Sequence, residues 1–454
     1  MLWTPVPRAL SAAEEIAERE AEAVRVSAAV MDLALSIGDV LLASGLGAED
    51  VEAAMLGVTY TYGLVPCDPQ VTFTMISISY QATPHTVPMT ATRTVRRRSS
   101  DYTRLRAVHE LVGRIMDGGL AVDEASSCLA QVQSSPCPYP GWVLSGATGA
   151  LAAGAALLVS GRWDGQAVLL FVVAFAAALC GERLAVLLSK AGVPEFYQYV
   201  AAAMPASACG VALALAGAGL QGSAVITGGL FALLPGRAFV AAAEDGLTGF
   251  YLTAGARLLE AVYLVTAIVI GVLAILPIGV SLGAPLRPEE SWTQDSFPLL
   301  QLASAWVLSL ALALLLQCPR RAAVFCAFNG AAAWCVFAVL TGQAGMGTVT
   351  ATGIAAGLAG IFGQLAARHR RSSSLPYVTA ALGPLLPGSA LYRGVLAFIQ
   401  GRGETGLVEL SRALALAVAL AVGVHAGREL VRLSHHVPHI TGRRREAAQR
   451  TGGF

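Results

Sequence analysis

Three sets of charged residues lie inside otherwise apolar segments of this chain. Charge buried in a bilayer is costly unless it is paired or used. Arg257 and Glu260 stand three residues apart in one such segment, and Glu409 and Arg412 three apart in another, with the signs reversed. That spacing puts each pair on one helix face. Glu182 and Arg183 adjoin in a third segment. A carboxylate near a membrane midplane can carry a coupling proton, because burial favours its neutral form. An arginine beside it can be its partner or can bind a substrate carboxylate. The plain alternative is a self-neutralised pair near the interface.

A second feature is a duplicated string. Thr227–Gly236 reads TGGLFALLPG and Thr379–Gly388 reads TAALGPLLPG. Proline breaks the helical hydrogen-bond ladder, and glycine lets other groups approach the backbone. Pro235 with Gly236, and Pro387 with Gly388, therefore predict two interrupted spans whose freed carbonyls need protein, water or ligand as partners. Paired interruptions in two halves of a membrane chain point to a substrate site; a packing kink is the plain alternative. Thr227 and Thr379 would bring hydroxyls to such a site, and Arg237 and Arg393 follow the two strings. Asn329, central in another apolar segment, either binds substrate or hydrogen-bonds a neighbouring helix. Gly353, Gly357, Gly360 and Gly363 form a small-residue stripe suited to close helix packing.

The elements that must hold these residues follow from composition. Apolar residues make up 55% of the chain and charged residues 13%, against roughly 25% charge in soluble proteins. The deficit starts after residue 136. Residues 1–136 read as a small cytoplasmic α/β domain: helices at Ala9–Ser44 and Ala48–Tyr62, strands at Val71–Tyr80 and Val87–Arg96, helices at Tyr102–Gly118 and Val122–Gln133. The Pro-rich joint SSPCPYPGW follows. Ten apolar spans come next, near 142–160, 166–188, 196–219, 223–242, 252–282, 297–317, 321–342, 346–367, 375–399 and 407–427, each near the ~20 residues that cross a bilayer. Arginines at 320–321, 368–371, 428, 432 and 443–445 fall on one side, shared with the N-terminal domain. The positive-inside rule then makes both termini cytoplasmic. Five spans per half is an odd number, so two five-helix repeats, 137–282 and 283–430, must be inverted relative to each other. A basic tail, 431–454, ends the chain. The expected fold is a polytopic α-helical membrane protein.

Other chemistries find little support. The eight cysteines form no CxxC pair, and five sit in apolar segments as small hydrophobes. The N-terminus lacks the apolar core of a signal peptide. No GxSxG, Walker A, GxGxxG or HExxH motif occurs, so no catalytic group or cofactor is expected. His85, Asp101, Ser99, Ser100 and Cys67 have reactive side chains, but no motif joins a nucleophile to a base. The histidines of HHVPH (His435, His436, His439) are too few and too close for a metal site. The arginines from Arg93 to Arg106 suit solvent or an anionic lipid surface. A net charge of +1 argues against nucleic acid. The expected partners are lipid and a small-molecule substrate, and a homo-oligomer stays open.

Several strings resemble the threonine/serine exporter family. They are IGDVLLASG from Ile37, AEDVEAAMLGVTYTYGL from Ala48, VTFTMISISYQ from Val71, and DYTRLRAVHELVGRIMDGGLAVDEA from Asp101. The order of parts is similar too: an N-terminal cytoplasmic domain, then ten spans in two halves, each with a Pro-Gly element in its fourth span. The resemblance implies export of threonine and serine driven by the proton motive force. It also implies an alternative, because related systems with the halves as separate proteins look tied to export of dicarboxylates such as succinate. From the residues alone, a membrane-tethered enzyme in the first 136 residues and a passive channel are the rival readings.

Overall fold

The N-terminal elements begin with a helix whose two halves differ in chemistry. In α1 (Ala12–Ala43) the first half is acidic and exposed, while Val30, Leu33, Ile37 and Leu41 of the second half are fully covered. This stretch is long and apolar enough to cross a membrane. Its apolar face is instead packed against α2 (Ala48–Thr61), a three-stranded sheet, α3 (Tyr102–Met116) and α4 (Val122–Ser134). The sheet is antiparallel in the order β1 (Cys67–Val71), β2 (Met75–Tyr80), β3 (Met89–Thr94). Where one strand was expected over Val71–Tyr80, the chain turns at Thr72–Thr74, and the Thr72 N–H donates to the Met75 carbonyl at 2.8 Å. The strand before this turn, CDPQV, was not expected: Pro69 and Asp68 are poor strand formers, and Pro69 is tolerated because β1 is an edge strand. Ile76 and Ile78 alternate into the core.

The computed structural model describes residues 12–95, 101–161, 165–217, 222–284, 298–369 and 373–434. The arginines at 96–98, Ser99, Ser100, the acidic loop of 285–297, Arg370, Arg371 and the histidine tail lie outside these residues, as does the Arg237 side chain. The remaining elements among the described residues are helical: α5 (Gly141–Ser160), α6 (Gln166–Lys190), α7 (Glu195–Leu215), α8 (Gly222–Leu233), α9 (Gly236–Leu247), α10 (Tyr251–Ser281), α11 (Pro298–Leu315), α12 (Arg320–Gly342), α13 (Thr348–His369), α14 (Leu375–Thr379), a 3-10 turn at Gly383–Leu385, α15 (Gly388–Ile399) and α16 (Gly403–Ser434). Eight helices among the described residues, α1 included, are long and apolar enough to span a membrane, or nine if α8 and α9, bent by 52°, count as one. The other seven of the eight fall on expected spans.

From α6 onward, helices 152 residues apart correspond: α6 with α12, α7 with α13, α8 with α14, α9 with α15, α10 with α16. They also keep corresponding neighbours, α7 packing on α10 as α13 packs on α16. The α13–α16 approach depends on bare backbone. A Cβ on Gly423 or Gly427 would collide with the carbonyl of Gly353 or Gly357, so the glycine stripe is a packing surface.

The N-terminal elements dock on one end of the helical bundle. The Leu46 carbonyl meets Arg257 near the start of α10, and the Ala48 N–H meets Asp245 near the end of α9. The Tyr102 N–H donates to the Leu316 carbonyl just past α11, and the Tyr139 hydroxyl to the Cys318 carbonyl just before α12. Arg428, late in α16, pairs with Asp50 and with Glu244. At this end α10 therefore starts, while its counterpart α16 finishes.

Candidate functional site

Each Pro-Gly element interrupts its segment in the same way. Pro235 has no N–H for the Phe231 carbonyl, and the Gly236 N–H turns back to the Leu234 carbonyl at 2.8 Å. The Gly388 N–H turns to Leu386 at 2.9 Å. Both prolines sit near the inverse γ-turn, at φ −78°, ψ 50° and φ −80°, ψ 38°. The second copy unwinds further because it has an additional proline, Pro384, which sits in a short 3-10 turn before Pro387.

The two breaks meet. A Cβ on Gly236 would strike Leu386, and one on Gly388 would strike the Phe231 ring, so each glycine is covered by a side chain of the other copy. Their crossing walls a cavity of about 360 Å3, within the roughly 300–1,000 Å3 range of small-molecule sites. Leu234, Pro235 and Gly236 line it from the first break, and Thr379, Leu382 and Gly383 from the second. Glu195, Tyr199, Arg257 and Glu260 supply further polar groups. Leu42, Gly45, Phe73 and Val95 close it on the side of the N-terminal elements. A cavity of about 60 Å3 lies across the same crossing, lined by Pro387, Arg393, Arg412 and Thr348 among others. Phe231 and Leu386 line both spaces.

The expected site residues divide accordingly. Pro235, Gly236, Thr379, Arg257 and Glu260 line the large cavity; Pro387 and Arg412 line the small one. Gly388 is the seat of Phe231. Thr227 is buried within α8 and is not on the central cavity wall. Asn329 has a bracing contact: its Nδ2 donates to the carbonyls of Ala359 and Tyr377, at 3.1 and 3.3 Å, tying α12 to α13 and α14. Thr379 also accepts a 3.4 Å hydrogen bond from the Tyr102 hydroxyl.

The charged residues are paired across elements. Arg257 Nε lies 3.0 Å from Asp245 Oδ2, with both side chains almost wholly buried. That contact is off the hydrogen-bonding axis, so it is an ion pair rather than a directed hydrogen bond. Asp245 Oδ1 accepts from the Ala48 N–H at 2.8 Å, and Arg257 Nη2 donates to the Leu46 carbonyl at 2.8 Å. Sequence reasoning did not find Asp245, because the span it expected stops at residue 242. In the second half Arg393 donates from Nε to Glu409 Oε2 at 3.1 Å. Arg412 lies 3.7 Å from the same carboxylate and donates to Thr348 at 3.0 Å. Arg257 and Glu409 occupy corresponding positions, and each ties the last helix of its half to the short helix after the break. Glu195 and Tyr199 were also missed; at the start of α7 they carry no signal apart from polarity. Glu182 and Arg183 meet on Ser145, beside a separate pocket.

Comparison with known proteins shows the family. A family profile described as "Putative threonine/serine exporter" matches residues 32–279, and one described as "Threonine/Serine exporter, ThrE" matches residues 301–428. The chain belongs to the threonine/serine exporter family. It is similar to a "Probable threonine/serine exporter" of Mycobacterium tuberculosis, with 35% identity over 88% of this chain and 76% of that protein. It is also similar to a "Threonine/serine exporter" of Corynebacterium glutamicum, with 29% identity over 91% of this chain and 84% of the other. No solved structure matches. As a member of this exporter family with several membrane-capable helices, the chain is a multi-pass membrane protein. The first profile extends from within α1 to within α10, so its match takes in the N-terminal elements.

Proposed function

We propose that this exporter-family member is a secondary carrier that moves small amino acids, threonine and serine first, out of the cell at the expense of the proton gradient. The observation that carries this reading is the meeting of two like Pro-Gly breaks at one cavity. Residues 12–134 form the cytoplasmic unit, and α5–α16 form ten spans in two inverted halves. The opposite senses of α10 and α16 relative to the docked N-terminal elements support the inversion, and the arginine-rich loops support cytoplasmic termini.

The substrate sits at the crossing. Its ammonium faces Glu260 and Glu195, and its carboxylate faces the positive end of α9, where Pro235, Gly236 and Ala238 line the wall. Thr379 and Tyr199 are the hydroxyl partners for a serine or threonine side chain. Two acidic residues on the wall disfavour a dicarboxylate by like-charge repulsion. Arg257 is largely committed to Asp245 and the Leu46 carbonyl, so it holds the wall rather than the ligand.

The test is counterflow of labelled threonine and serine in proteoliposomes, with and without a pH gradient, challenged with unlabelled succinate. Exchange that amino acids compete and the gradient accelerates is the expected result. Competition by succinate alone would reassign the substrate to dicarboxylates, and saturation-free flux would indicate a channel.

A further inference from the structure

Beside the central cavity lies a pocket of about 200 Å3 between α5, α6, α7 and α8. Thr148, Glu182, Gln198 and Tyr199 bring polar groups to it, and Ala232 and Leu233, at the end of α8, wall it toward the first break. Tyr199 and Ala232 line the central cavity as well, so a single layer of side chains separates the two spaces.

Glu182 Oε1 accepts from the Ser145 hydroxyl at 2.9 Å, and the same hydroxyl accepts from Arg183 Nη2 at 3.2 Å. Glu182 Oε2 is buried and has no hydrogen-bond partner. Oε1 is thus occupied by Ser145, and Oε2 is the oxygen left open to a proton. With a proton on Oε2 the group is neutral beside Ser145. Without it, the Arg183 guanidinium, already held on the Ser145 hydroxyl, is the nearest cation to offset the charge.

The surroundings supply few competing groups. Neither α5 nor α8 carries a titratable residue; α7 brings Glu195, Tyr197, Tyr199 and Cys209, and α6 itself Cys180, Arg183 and Lys190. The position corresponding to Glu182 in the second half is Trp334, so the carboxyl occurs once. Glu409, by contrast, lies between two guanidinium groups, and Glu260 faces the substrate cavity.

We infer that Glu182, in the pocket behind α8, is the proton-binding site through which the gradient drives transport. This rests on the carrier reading above. One proton passes from water on the outer side to Oε2 and later from Oε2 to water on the inner side. No electrons move, and no other bond changes. Ala232 and Leu233, next to the Pro235 break, line the same pocket as this carboxyl.

The test compares the full-length wild type with E182Q in proteoliposomes. E182Q mimics the loaded state and should keep gradient-free threonine counterflow while losing gradient-driven accumulation. Accumulation retained in E182Q overturns the assignment. So does loss of counterflow in an E182Q protein whose thermal melt is unchanged, since Glu182 would then serve substrate binding. A second readout needs no substrate: the infrared band of protonated carboxyls, followed against pH in purified protein, should shift one component in E182D. An unshifted band overturns the proposal. If the wild type exchanges neither threonine nor serine, the substrate reading fails, and the infrared titration still decides whether Glu182 takes up a proton.

Discussion

Glu260, half-buried, and Asp245, fully buried, show how differently two acidic residues can be used. Glu260 is on the cavity wall, where Glu260→Gln removes the charged partner proposed above for a substrate ammonium. A charge-assisted hydrogen bond contributes about 1.5–3 kcal/mol, so the KM for threonine should rise about tenfold or more, with a smaller change in the maximal rate. A KM unchanged in counterflow would remove Glu260 from the binding site. Asp245 instead neutralises Arg257 and holds the α1–α2 turn through Ala48. Asp245→Ala leaves a buried cation without its ion partner, which costs roughly 3–5 kcal/mol; a melt in detergent should show the loss, and adding R257Q should recover part of it. Glu52 in α2 is a third case. Burial pushes its carboxyl up to about 7, with Asp68 and Glu49 adding to the shift. A raised acid stabilises the fold below its unfolded value of 4.5, and that stability is lost as pH rises through about 7. Glu52→Gln should therefore raise stability at pH 8 by about 1–2 kcal/mol, allowing for solvent screening, and make little difference at pH 4. His109 in α3 runs the other way. Burial lowers it against the opposing pull of Asp50 and Glu110, so its contribution is present above 6.5 and lost as pH falls.

At the scale of elements, the two breaks depend on proline for their opening and on glycine for their mutual contact. Replacing Pro235 and Pro387 together by alanine restores both backbone donors and lets the first segment run on as a helix, while Pro384 still interrupts the second. Transport should be abolished with expression intact; transport that survives the double change would put the site elsewhere. Gly388→Ala tests the contact itself, because the new methyl group meets the Phe231 ring in a filled space. Overpacking of this kind costs about 1–3 kcal/mol, and the variant should fold but transport slowly. The difference between the halves is also local: Pro384 adds a second interruption to the later copy, so α14 is only five residues long where α8 has twelve.

For the whole molecule, the unequal cavities across one crossing matter most. The large one is bounded by the N-terminal elements, the small one lies opposite, and Phe231 and Leu386 are the partition. The ion pairs of Asp245 and Glu409 lie on the two sides of the crossing. Much of this was legible in the chain. The helical spans follow from runs of apolar residues and the breaks from two LLPG strings, because helix periodicity and proline chemistry act over a few residues. β1 was not legible, since an edge strand with Asp and Pro lacks the usual propensity. The place of α1 among the N-terminal elements was legible from its apolar stripe, while the partners that cover the stripe, the sheet and α2 to α4, were decided by packing. The partners of Arg257 and Arg393, the bracing by Asn329, and the isolation of one oxygen of Glu182 were likewise decided by tertiary structure. Each depends on which side chains from distant parts of the chain reach a shared space, and local sequence places no constraint on that distance.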